Sequence, residues 1–131
     1  RIRDPEHFGK QPVCGVAVDN ACFAADGSMY PCAGFLGFVL GNAREQPIRD
    51  IWENSERVRF LRTIRNDSFP GCMACEARDY CVMCLVRNFN ESNGDMFQIA
   101  DHFCQVAFLN RDLVYRFREA RNPHQEAGAC T

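Results

Sequence analysis

The 131-residue chain is short of lysine: Lys10 stands alone beside fourteen arginines. It is also short of net charge, with 15 basic against 17 acidic residues and a formal charge of −2. No global field therefore draws it to nucleic acid or to an anionic membrane surface. No apolar run approaches the roughly 18 residues that a membrane span requires, and no apolar signal segment is visible. The initiating methionine is missing too, and Arg1-Ile-Arg-Asp-Pro5 reads as mid-chain, so an excised domain is expected. The arginine bias favours fixed, forked hydrogen bonding over simple solvation, although it also fits a compositional habit of the source genome.

Cysteine is the opposite case, with nine in the chain. Discounting them leaves roughly 40% apolar residues, a modest core, so something besides burial is expected to hold the loops. Disulfides suit a secreted chain, but adjacent CxxC pairs are poor long-range staples. Metal binding by thiolates in a reducing compartment, the cytoplasm, fits better. The densest stretch is Cys72-Met-Ala-Cys75-Glu-Ala-Arg-Asp-Tyr-Cys81-Val-Met-Cys84, four cysteines in thirteen residues, entered through Pro70-Gly71. Each CxxC turn places two thiolates on one side of a tight loop, where one soft metal centre can take both.

The order of elements follows from local patterns. Residues 1–13 are polar, with Pro5 and Pro12, and read as a linker or the end of a preceding domain. Cys14 to Val18 reads as a short strand. Asp26-Gly27 between apolar segments predicts a two-residue type I′ hairpin that pairs Ala25 with Ser28, Phe23 with Tyr30 and Ala21 with Cys32. Pro31 cannot donate to the ladder, which should end there. Residues 33–47 read as glycine-rich loop with a short strand. Pro47 opens a helix with Ile48, Ile51 and Trp52 on one face, and Ser55 is the N-cap of a second with Val58, Leu61 and Ile64 buried. Arg57, Arg59, Arg62 and Arg65 lie mostly off that stripe and read as a solvated face. Residues 88–94 read as a polar turn. Asp95 to Arg121 reads as one long helix, with a possible break near Asn110, that carries Cys104 inward. His102 reads as an exposed helix residue, and residues 122–131, with Cys130 as a bystander, as a flexible tail.

Eight cysteines remain once Cys130 is set aside: 14, 22, 32, 72, 75, 81, 84 and 104. That is enough for two four-thiolate sites. Their order resembles the SPASM domain, found at the C-terminus of many radical S-adenosylmethionine enzymes that modify peptides. Twelve residues separate Cys14 from Gly27 and four separate Gly27 from Cys32; the CxxC-x5-C run at 72–81, Cys84 and a lone Cys104 follow. Asp26-Gly27, Tyr30-Pro31-Cys32, Leu40-Gly41-Asn42 and Ile48 through Trp52 with Ser55 carry the same resemblance. It implies an α+β fold over residues 14–121, a small loop-rich, metal-dependent domain with an N-terminal β-hairpin, a cysteine knot and a long C-terminal helix.

The resemblance further implies two auxiliary [4Fe–4S] clusters with interleaved ligands, Cys14, Cys22, Cys32 and Cys84 for the first and Cys72, Cys75, Cys81 and Cys104 for the second. Two departures stand out. Family members usually place three residues between the last two knot cysteines, and here there are two, Val82 and Met83. Cys22 is outside the minimal seven-cysteine pattern; without it the first cluster keeps an open iron. Arg78 and Arg87 flank the knot. The chain lacks the CxxxCxxC motif that holds the S-adenosylmethionine-cleaving cluster. The implied role is therefore auxiliary: electron transfer and positioning of a peptide or protein substrate, with the enzyme's own barrel as partner supplying S-adenosylmethionine and a third cluster. No nucleic acid and no membrane is implied. The competing reading is a non-enzymatic zinc module with Cys72, Cys75, Cys81 and Cys84 on one Zn²⁺ and Cys104 idle.

Overall fold

The computed structural model describes residues 4–121. Asp4 caps the first helix, α1 (Pro5–Lys10), by accepting the His7 backbone N–H at 3.0 Å, and Pro5 occupies the first helical position, where no N–H is needed. The stretch expected to be a linker or the end of a preceding domain contains this helix. It packs on the 3₁₀ turn Asn66–Ser68, where the buried Asn66 amide donates to the Phe8 and Gln11 carbonyls at 3.0 and 3.2 Å.

Cys14 to Val18 does not form the expected strand. The N–H groups of Val18, Asp19 and Asn20 converge on the Gly15 carbonyl at 3.0, 3.0 and 2.9 Å, making a tight turn. The Asp19 and Asn20 side chains fold back over the Gly15 Cα, where a Cβ would displace them. Ala17 carries a positive φ of 56° and is fully buried, its carbonyl held by Arg62 Nε at 2.8 Å.

The expected hairpin is present but its register differs by one residue. β1 (Cys22–Phe23) and β2 (Ser28–Tyr30) run antiparallel, with Cys22 opposite Tyr30 and Phe23 opposite Met29. A type I′ turn needs positive φ at both central residues, and of Asp26 and Gly27 only Gly27 (φ 88°) has it. A three-residue loop forms instead: Ala24 donates to the Ser28 carbonyl at 2.9 Å, and Gly27 donates back to Ala24 at 3.0 Å. The Asp26 carboxylate accepts the Ser28 N–H at 2.9 Å. The one-residue shift decides which side chains face inward, and Met29 is buried at 1% exposure. β2 ends before Pro31, as expected, and β3 (Gly41–Asn42) completes an antiparallel sheet of order β1-β2-β3.

α2 (Ile48–Asn54) follows Pro47 and α3 (Glu56–Thr63) follows Ser55, both as expected, and Val58, Leu61 and Ile64 are buried. Two details differ. Ile48, in the first turn, is exposed, and the Ser55 hydroxyl donates to the Leu40 carbonyl at 3.1 Å rather than capping α3. The arginines are not a uniformly solvated face either. Arg57 lies over the Phe38 ring at 5.0 Å and Arg62 over Trp52 at 4.7 Å, while their donors hold the Val39 and Ala17 carbonyls.

α4 (Pro70–Met73), a 3₁₀ turn at Arg78–Tyr80, α5 (Leu85–Glu91) and α6 (Asp101–Arg121) complete the chain. α5 takes over half of the expected polar turn, because Asn88 is buried with its amide donating to the Met96 carbonyl at 3.1 Å. α6 starts at Asp101 instead of Asp95. Upstream, the Asp95 carboxylate takes the Phe97 N–H at 2.9 Å and Met96 turns into the core, a competing local structure. α6 then runs unbroken through Asn110. Helices around a small antiparallel sheet make this an α+β fold. Its core joins Val16, Met29, Phe35, Ile51, Val58 and Leu85 across the sheet, α2, α3 and α5. Among the described residues, no helix is long and apolar enough to cross a membrane. The expected tail, with Cys130, lies outside the described residues.

Candidate metal centres

The eight described cysteines are all free thiols and all half-buried. Cys14 enters the Gly15 turn, Cys32 follows Pro31 at the end of β2, and Cys84 occupies the residue before α5. Burial pushes the Cys14 thiol pKa up; the Val16 backbone hydrogen bond opposes this, and Cys84, Cys32 and Asp19 add to it through like charge. These three cysteines therefore share one electrostatic neighbourhood. All three also pack against the hydrophobic core.

Cys72 sits in α4, Cys75 just beyond it, Cys81 after the 3₁₀ turn and Cys104 in the first turn of α6. Burial also raises Cys72, reinforced by Cys104, Cys81 and Cys75 and opposed by the Arg78 guanidinium. Cys104 is raised by burial and then by Cys81, Cys75 and Asp101. These four form a second neighbourhood. Backbone bonds set its local shape: Cys75 donates to Cys72 at 3.3 Å, Arg78 to Cys75 at 3.1 Å and Cys81 to Arg78 at 3.2 Å.

Between Cys81 and Cys84 the chain is extended, with Val82 exposed, and Arg87 Nη2 holds the Val82 carbonyl at 2.9 Å. Even with the two-residue spacer, Cys84 therefore comes within reach of Cys14 and Cys32. It also borders an apolar cavity shared with Cys72, Cys75, Cys81 and Cys104, so it stands between the two groups. It is the leading thiol acting on Cys14 and is not among those acting on Cys72. Cys22, on β1 opposite Tyr30, is not among the groups acting on Cys14.

Thiolates are the donors that iron–sulfur centres and zinc both take, so the residue types fit either.

Two supports escaped the sequence reading. Arg111 of α6 pairs with Glu76 of the knot at 2.7 Å and with Asp112 at 2.9 Å, and stacks over Phe108, joining the helix that carries Cys104 to the residue after Cys75. Asn66 and Phe8 converge on Arg78 from the N-terminal side. The Asp4-Pro5-Glu6 helix start was the available signal for the latter. His102 is exposed beside the Phe103 ring, as expected.

Residues 14–76 match the family model of the SPASM iron–sulfur cluster-binding domain. The chain carries a SPASM domain. Two curated proteins are also similar to the chain. An AdoMet-dependent heme synthase of Methanosarcina barkeri is 39% identical over 79 residues, covering 59% of this chain and 22% of the relative. One from Nitratidesulfovibrio vulgaris is 32% identical over 96 residues, covering 70% of this chain and 25% of the relative. The chain thus spans about a quarter of the length of these relatives. No solved structure matches it. The SPASM match ends at Glu76, so Cys81, Cys84 and Cys104 are tied to the domain by the fold rather than by the family pattern.

Proposed function

We propose that this chain is the auxiliary part of a radical S-adenosylmethionine enzyme and holds two [4Fe–4S] clusters. Cys14, Cys22, Cys32 and Cys84 would hold the first, and Cys72, Cys75, Cys81 and Cys104 the second. When bound, such clusters supply one-electron transfer at potentials set by burial and hydrogen bonding. The observation that carries the reading is the sorting of seven cysteines, remote in sequence, into two neighbourhoods that exchange a ligand across the knot. Cys22 completes the first set from β1, two residues before the hairpin loop. The chain's own residues bury the sulfurs, order the loops between them and keep bulk water off the apolar cavity beside Cys72 and Cys104. The barrel that binds S-adenosylmethionine and a third cluster is the partner, and a reducing compartment such as the cytoplasm keeps the thiols free.

The family resemblance by itself points to a peptide or protein substrate. The two relatives are named heme synthases, and we take their class, a tetrapyrrole, as the better-supported substrate of the full-length protein. Anaerobic reconstitution tests the cofactor: about twelve iron and twelve sulfide per full-length chain, roughly eight of each in this segment, with no zinc here. A protein that is folded, colourless and loaded with zinc at Cys72, Cys75, Cys81 and Cys84 would leave only the structural module. For the substrate, S-adenosylmethionine cleavage by the full-length protein should accelerate on adding a tetrapyrrole. Acceleration only by a peptide would restore the peptide-modifying reading.

A further inference from the structure

Arg78 is fixed beside the sulfurs by three contacts at once. Its Nη2 donates to Asn66 Oδ1 at 3.1 Å, its Nη1 donates to the Cys81 carbonyl at 3.3 Å, and its guanidinium lies over the Phe8 ring at 4.9 Å. Asn66 is itself buried, at 6% exposure, with its amide nitrogen spent on two α1 carbonyls, so its oxygen is aimed at Arg78. Arg78 lines the same apolar cavity as Cys72, Cys75, Cys81 and Cys104. An arginine stays charged at any physiological pH, and a half-buried, immobilised charge is screened less than a solvated one.

We propose that Arg78 is a positioning residue that sets the reduction potential of the second centre, and that α1, through Phe8 and Asn66, holds it in place. This rests on the cluster reading above. A fixed positive charge beside a thiolate-ligated centre favours the form with one more electron, so it raises the potential. Of the first group only Cys84 borders that cavity, while Cys14 and Cys32 do not, so the first centre should respond less than the second.

The test is a spectroscopic redox titration of the full-length protein after anaerobic reconstitution, with iron and sulfide counted in every sample. The signal lost in Cys104→Ala identifies the second centre. Arg78→Gln should move that signal to more negative potential at full iron content and move the first centre's signal less. Arg78→Lys, which keeps the charge without the fork, should fall between Arg78→Gln and wild type. Phe8→Leu keeps an apolar neighbour but frees the guanidinium, and should give a smaller negative shift. An unshifted second centre in fully loaded Arg78→Gln overturns the proposal. If Arg78→Gln fails to load, Phe8→Leu decides: a negative shift supports it and an unchanged potential overturns it. Wild-type protein without iron–sulfur centres overturns the cluster reading and this one together, whereas loaded wild type with unresponsive variants overturns this one alone.

Discussion

The two sulfur neighbourhoods are built by different means. Cys14, Cys32 and Cys84 lean on the hydrophobic core, and Phe35, whose N–H donates to the Cys32 carbonyl at 3.0 Å, stacks on Phe38 and meets Phe89 edge-to-face, each with ring centroids 5.0 Å away. Apart from Cys72, the second group touches that core little. Polar fastenings hold it instead: Arg78 to Asn66 and Cys81, and Arg111 to Glu76. Packing forces are short-ranged and non-directional, so they fix the first group by filling space. Charged hydrogen bonds are directional and fix the second group by orientation, which also brings cations beside its sulfurs.

The sharpest way to break this comparison is to remove one ligand from each side. Cys104→Ala should cost the second centre and spare the first, and Cys84→Ala should do the reverse, each removing about four iron per chain. Metal analysis with spectra of the remaining centre checks it; loss of the same centre in both variants would end the interleaved assignment. Next in size, Phe35→Ala removes a fully buried ring and should destabilise the domain by roughly 3–5 kcal/mol in denaturant titration, with the first centre bleaching before the second. Arg111→Met should have the opposite order, releasing the second centre first on heating, because α6 loses its tie to Glu76. If both variants bleach the centres in the same order, the two-means account fails.

The smallest effect is expected at the hairpin. Hydrogen bonds from the Ser28 backbone and side chain hold the exposed Asp26 carboxyl below the usual carboxylate range. A depressed folded-state pKa contributes stability above the unfolded value of about 3.9, lost as pH falls through the lower folded value. Amide exchange of Ser28 should therefore quicken selectively below about pH 4, and Asp26→Asn should remove that pH step.

Much of this was legible in residue order. Val58, Leu61 and Ile64 announced α3 because a 3.6-residue apolar repeat is a local signal, although Ser55 at its start spends its hydroxyl on Leu40. The hairpin was legible for the same reason, but its register was not: Asp-Gly serves both a two-residue turn and a three-residue loop, and Met29's burial selects between them. α1 was missed because its packing partner, Asn66, lies 58 residues from Phe8. The start of α6 was misplaced because Asp95 could serve as helix residue or as turn, and the turn won once Met96 found the core.

By itself the sequence determined the supply of donors, nine cysteines with four of them in the thirteen residues 72–84, since side-chain identity is a covalent property. Which sulfurs share a neighbourhood was decided by the tertiary structure alone. The two-residue step after Cys81 permits either side, and the route to Cys14 and Cys32 depends on how β2, α5 and the knot pack around a common core.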